Sequence, residues 1–268
     1  MRRLLPLILF FLLSGVLAAQ DYAQLDSLMG VYVSSIQREE TETKEAETDY
    51  MIGAARDSAT RQHIALWLFD YYKESPLMGE EAVAIHIYDS WFASGKLNWR
   101  SEFDAMDAKL FADFNRSSLL GMQAPALILR KPCGGRVNIP RSGRTAFIWF
   151  YDTACAKCKL EAKVLPGILD AETRSSVDFY AVYAGQDRKA WKAFRKDFKL
   201  RNHKVKLVHL WDPEVDSDYL RLYGVISTPK LYMVEPHGSI AGRRLEPENL
   251  PQMLSLAEQI ESLYNNVQ

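Results

Sequence analysis

Residues 145–169 read TAFIWFYDTACAKCKLEAKVLPGIL. The fold hangs on how this stretch is understood. Residues 146–150 are an unbroken apolar run, followed by a polar break at Asp152, Thr153 and Ala154. Cys155 and Cys158 come next, separated by Ala156 and Lys157. Beyond them Leu160, Val164, Leu165 and Ile168 recur at helical spacing, which predicts a helix with these residues on its apolar side. The pattern is a buried strand, a tight turn and a helix that begins at or near Cys155. The first turn of a helix carries unpaired N–H groups and the positive end of the macrodipole. A thiol placed there has its thiolate favoured, and the thiolate is the nucleophile. Cys158 lies three residues on, beside the first cysteine. One sulfur can attack a foreign disulfide and the other can resolve the mixed disulfide.

Working outward, the 268 residues allow one large domain or two ordinary ones. A hydrophobic share of 48% and a charged share of 25% are those of a globular chain. The formal net charge is only -1, so nothing points to nucleic acid or to an anionic membrane surface.

The chain opens MRRLLPLILFFLLSGVLAAQ. Arg2 and Arg3 precede an apolar run over residues 4–13, and small residues follow at Ala18 and Ala19. Residues 1–19 read as a secretory signal peptide, which implies an exported, periplasmic protein with no membrane span after cleavage. In such a compartment disulfides are permitted and managed. With only three cysteines the chain is not a disulfide-stapled scaffold, and a close pair suits redox catalysis.

Residues 20–120 read as an all-α helical domain. Residues 22–37 place Leu25, Leu28, Met29, Tyr32, Val33 and Ile36 on one face. Residues 38–49 are charged and read as a solvated loop or helix end. Residues 59–72 and 80–92 are dense apolar helices, with Glu80 and Glu81 at the start of the second. Ser101 to Asp104 is a capping box for a last helix. The aromatics Trp67, Tyr71, Tyr72, Trp91, Phe92 and Trp99 fit a small helical core, or line a peptide groove.

Residues 121–268 alternate strands with helices, the mark of parallel βαβ pairing. A hairpin spans residues 126–139 around Lys131, Pro132, Cys133, Gly134 and Gly135. Strands follow at 146–150, 177–183 and 207–211, and a last hairpin turns at His237 and Gly238. Helices are expected at 189–198, 216–223 and 248–263.

The cysteine segment, Glu161 three residues after Cys158, and Thr228-Pro229 within YGVISTPKLYMV together resemble the TlpA-like branch of the thioredoxin-like thiol-disulfide oxidoreductases. The resemblance covers residues 122–268 and departs from the family at Ala154, where many relatives carry tryptophan. The helical part resembles domains that precede TlpA-like domains in some exported bacterial proteins. The implied fold class is α+β with two domains, an all-α domain and a thioredoxin-like α/β domain whose central mixed sheet is flanked by helices. The implied roles are Cys155 attacking, Cys158 resolving, Glu161 moving a proton, and Pro229 in a cis-proline loop orienting the partner. Thr228, Ala154 and Lys157 are expected at the substrate surface, and Lys157 also favours a thiolate by its charge. No dissociable cofactor is implied, since the disulfide itself carries two electrons. The partners implied are protein thiols and disulfides and a membrane or periplasmic electron-exchange partner, not nucleic acid.

Other chemistries compete for the same residues. A zinc site would need four ligands, and only Cys133 and distant histidines remain to supply them. No metal is therefore expected. Cys133 reads as a bystander in a turn, and Trp149 as core. A protein that uses the same scaffold only to bind is the alternative reading, since fold alone does not establish function.

Overall fold

The computed structural model describes residues 22–172 and 176–267. The expected signal peptide, residues 1–19, lies outside the described residues. The chain falls into two compact units that divide between Ala112 and Asp113.

The first unit is helical. It contains α1 (Ala23–Ser35), α2 (Thr41–Ala54), α3 (Ser58–Glu74), α4 (Glu81–Ile87) and most of α5 (Glu102–Asn115). Asp57 caps α3 by accepting the Thr60 N–H, and Ser101 accepts the Asp104 N–H at the start of α5. One π-helical turn, Tyr88–Ala93, extends α4. Ile52, Ala65, Leu68, Phe69, Val83, Ala84 and Ile87 are buried together as its core. Tyr72 and Phe92 are core too. Trp67 and Tyr71 are half-buried, and line a cleft on the outer side of α3 with Tyr22, His63 and Asp70.

Two expectations fail in this unit. Residues 38–49 are not a solvated loop, because most of them lie in α2. Their charge hid a buried contact: Lys44 reaches Glu80 at 3.2 Å with both side chains nearly out of solvent. Removing one partner of such a buried pair costs about 3–5 kcal/mol. Leu28 is exposed, because only Met29 and Val33 of α1 point fully into the core.

The second unit is a mixed sheet with helices on its faces. Its strands are β1 (Leu127–Arg130), β2 (Arg136–Ile139), β3 (Ala146–Tyr151), β4 (Val177–Tyr183), β5 (Val205–Trp211), β6 (Lys230–Val234) and β7 (Ile240–Gly242), in the order β2-β1-β5-β4-β3-β6-β7. The central β5-β4-β3 pairs are parallel, and the flanking pairs are antiparallel. The helices are α6 (Ala156–Asp170), α7 (Arg188–Asp197), α8 (Tyr219–Leu222) and α9 (Leu250–Val267).

The apolar runs of β3 and β4 follow from their central place. Every residue of both strands is buried, as in a sheet covered on both faces; the one carboxylate among them, Asp178, accepts from the Tyr180 hydroxyl at 2.8 Å. Phe147, Trp149 and Tyr151 alternate onto the face that packs α6, α7 and α9. Ile148 and Phe150 face the opposite layer with Leu127, Tyr219 and Tyr223. Gly224, with φ +58°, ends the turn after α8. A Cβ there would sit 2.4 Å from the Phe114 carbonyl oxygen, so the position needs glycine twice over.

Candidate active site

The site forms where β3 hands over to α6. Asp152 builds the turn: its carboxylate accepts the Ala154 N–H at 2.7 Å and its carbonyl accepts the Cys155 N–H at 3.3 Å. That turn makes Cys155 the N-cap residue of α6. Its sulfur accepts the Cys158 N–H at 3.1 Å, in the position usually held by a serine or aspartate oxygen. An orphan N–H at the positive end of a helix is therefore aimed at Cys155 Sγ.

The two sulfurs live in different surroundings. Cys155 is partly exposed, whereas Cys158 is buried. Burial first, and the hydrogen bond with Cys155 second, push the Cys158 thiol up to about 12. Cys155 Sγ also donates to the Thr228 carbonyl at 3.3 Å. The Thr228–Pro229 peptide is cis, as is Ile139–Pro140, which the sequence reading did not anticipate. Ala154 is exposed at the mouth of the turn, and Thr228 and Pro229 are half-buried. Cys133 is exposed in the β1–β2 turn.

The apolar side of α6 is not the one periodicity suggests. Leu160 and Val164 are 63% and 50% exposed. The buried stripe is Cys158, Glu161, Leu165 and Leu169. Residues at i and i+3 lie on one helix face, so the buried thiol and the carboxyl share it. Glu161 is only 5% exposed, and its Oε2 accepts the Trp149 indole N–H at 2.8 Å. Burial raises its pKa to about 7, against the lowering influence of the indole bond. A carboxyl in that range can hold or release a proton near neutrality.

Trp149 and Glu246 are the residues that sequence reasoning left out of the site. A buried tryptophan needs an acceptor for its N–H, and Trp149 stands on the α6-facing side of β3. That was the available signal. Glu246, just before α9, accepts from Lys157 Nζ at 2.6 Å. This bond is the chief cause that raises the Lys157 pKa. The ammonium of Lys157 is thus turned to Glu246.

Among the described residues, three acidic side chains that could together hold a cation are Asp212, Glu214 and Asp216. They are remote from the cysteines in sequence. Glu214 and Asp216 pair with Arg130 and Arg136.

No family model and no curated protein matches the chain. Among solved structures, a thioredoxin-like protein from Bacteroides caccae superposes with a TM-score of 0.67 at 14% identity, over 89% of this chain and 85% of that one. The thioredoxin domain of a thiol-disulfide oxidoreductase from Bacteroides vulgatus gives 0.45 at 20% identity, over 51% of this chain and 96% of that one. A domain of a possible thiol-disulfide isomerase from Cytophaga hutchinsonii gives 0.44 at 23% identity, over 55% and 97%. The first of these likenesses shows the fold: a thioredoxin-like α+β chain with helices ahead of the sheet.

Proposed function

We propose that this thioredoxin-fold chain is an exported thiol-disulfide oxidoreductase that exchanges disulfides with protein clients through Cys155 and Cys158. The observation that carries the reading is the asymmetry of the pair. One sulfur is reachable and takes a helix N–H, while its neighbour is buried and held as a thiol.

In the reducing direction the Cys155 thiolate attacks one sulfur of a client disulfide. A Cys155–client S–S bond forms, the client S–S bond breaks, and the second client sulfur leaves as a thiolate that takes up a proton. Cys158 then gives up its proton, with Glu161 as the acceptor, and attacks Cys155 Sγ. The Cys155–Cys158 bond forms and the other client thiolate departs. Two electrons have passed from the dithiol to the client, and the reverse sequence oxidises a client. Thr228 and cis-Pro229 present backbone beside Cys155 for strand-like pairing with the client. Ala154 leaves the mouth of the turn open. Ile226, two residues before Thr228, is 71% exposed and offers an apolar contact.

We further propose that the helical part, assigned from the sequence to residues 20–120, serves recognition and that residues 121–268 carry the chemistry. Export rests on the leader-like residues 1–19.

Thiol titration before and after reductant tests the chemistry. Oxidised protein should titrate as one thiol, Cys133, and reduced protein as three. A pair that never cycles while the fold is intact would favour the binding-only alternative.

A further inference from the structure

The near-zero net charge conceals a division. Between residues 22 and 112 acidic side chains outnumber basic ones two to one, and from residue 113 onward the basic ones prevail. The densest part of that excess is on and just after α7. Arg188, Lys189, Lys192, Lys196, Lys199 and Arg201 are all exposed. None of the six forms an ion pair among the described residues. The nearby carboxylates are used otherwise. Asp187 caps α7 by accepting the Lys189 and Ala190 N–H groups, and Asp170 accepts the backbone N–H groups of Arg201 and Asn202. Asp197 is the one acid inside the helix.

This arrangement works against the helix itself. Arg188, Lys192 and Lys196 follow one another at i, i+4 and i+8, where like charges repel. Arg188 and Lys189 stand in the first turn, at the positive end of the macrodipole, where cations are unfavourable. The helix holds because its other side is apolar: Trp191 is buried, Phe198 stacks on Trp149 and on Phe194, and Phe194 lies tilted against Trp149.

We propose that the outward face of α7 and the segment after it form a docking surface for anionic phospholipid headgroups. One observation, together with the proposed export, favours a membrane over an acidic protein or a nucleic acid. A protein interface has an apolar centre, yet among the described residues no large hydrophobic side chain is exposed between Val164 and Val215. Headgroup binding needs only cations, each of which an anionic surface attracts. The leader proposed at residues 1–19 would also deliver the chain to a compartment bounded by membrane and away from nucleic acid.

The test is flotation of the full chain with vesicles of phosphatidylglycerol and phosphatidylcholine at about 1:3, and with phosphatidylcholine alone. Binding should occur only to the first and should vanish in about 0.5 M salt. The triple variant Lys189→Glu, Lys192→Glu, Lys196→Glu should partition at least about tenfold less. It should also melt no lower than the parent, because the substitutions relieve repulsion along the helix. Parent and variant should reduce a small soluble disulfide at equal rates, which separates this surface from the redox site. Failure of the parent to float with anionic vesicles, or undiminished flotation of the triple variant, would overturn the proposal. So would retention by polyglutamate or duplex DNA without any by the vesicles.

Discussion

The indole N–H of Trp149, on strand β3, donates to Glu161 Oε2, on helix α6, at 2.8 Å. The bond joins the sheet to the helix that carries both cysteines. It also favours the charged form of a carboxyl whose burial favours the neutral one. Trp149→Phe keeps the ring and deletes the donor. Glu161 should then titrate above its present value of about 7. The pH at which disulfide exchange becomes half-maximal should move in the alkaline direction. An unmoved profile in a folded Trp149→Phe protein would remove Glu161 from the proton path.

Glu161 should also set a pH dependence of stability. Its ordinary value is 4.5 and its folded value about 7. Between these the folded state binds more protons than the unfolded one, so stability falls as pH rises through this window. The loss amounts to at most about 3 kcal/mol. Glu161→Gln keeps an acceptor for Trp149 and has no charge to bury. It should match the parent near pH 4 and exceed it at pH 8 in urea denaturation. A parallel decline in both proteins would show that other groups set the slope.

The asymmetry of the cysteines predicts an order of labelling. In a Cys133→Ser background, iodoacetamide at neutral pH should modify reduced Cys155 at least about tenfold faster than Cys158, whose thiol is pushed to about 12. Cys158→Ser should accumulate mixed disulfides with clients, because no second sulfur remains to resolve them. Accumulation in Cys155→Ser instead would reverse the roles.

A fragment beginning at Asp113 should fold and retain exchange with a small disulfide. One beginning at Met122 should be less stable. The shorter fragment loses Asn115, whose Oδ1 accepts from buried Arg243 at 2.6 Å, and the Gly121 N–H that bonds the Ile240 carbonyl at 2.9 Å. Each lost buried partner costs about 1–3 kcal/mol. Urea midpoints of the two fragments decide the matter, and equal midpoints would place the start of the second unit later.

In the second unit the sequence by itself determined the elements and their order, whereas in the first it missed α2, whose charged residues read as solvated. The apolar runs of β3 and β4 announce strands covered on both faces, and Cys155, a turn past one of them, announces a helix start. Local chemistry suffices there, because Asp152, the capping sulfur and the first N–H groups of α6 are neighbours in the chain. Segregation of charge between the two parts was equally legible, but a sum over the whole chain erased it. The tertiary structure alone decided which side of α6 is inside. Hydropathy favours burying Leu160 and Val164, yet the sheet covers Cys158 and Glu161, and a carboxyl enters the core because Trp149 waits there with a donor. Lys44 and Glu80, and Lys157 and Glu246, likewise join residues distant in sequence. The first pair is buried, so its charges look solvated until the fold brings them together, while the second stays on the surface.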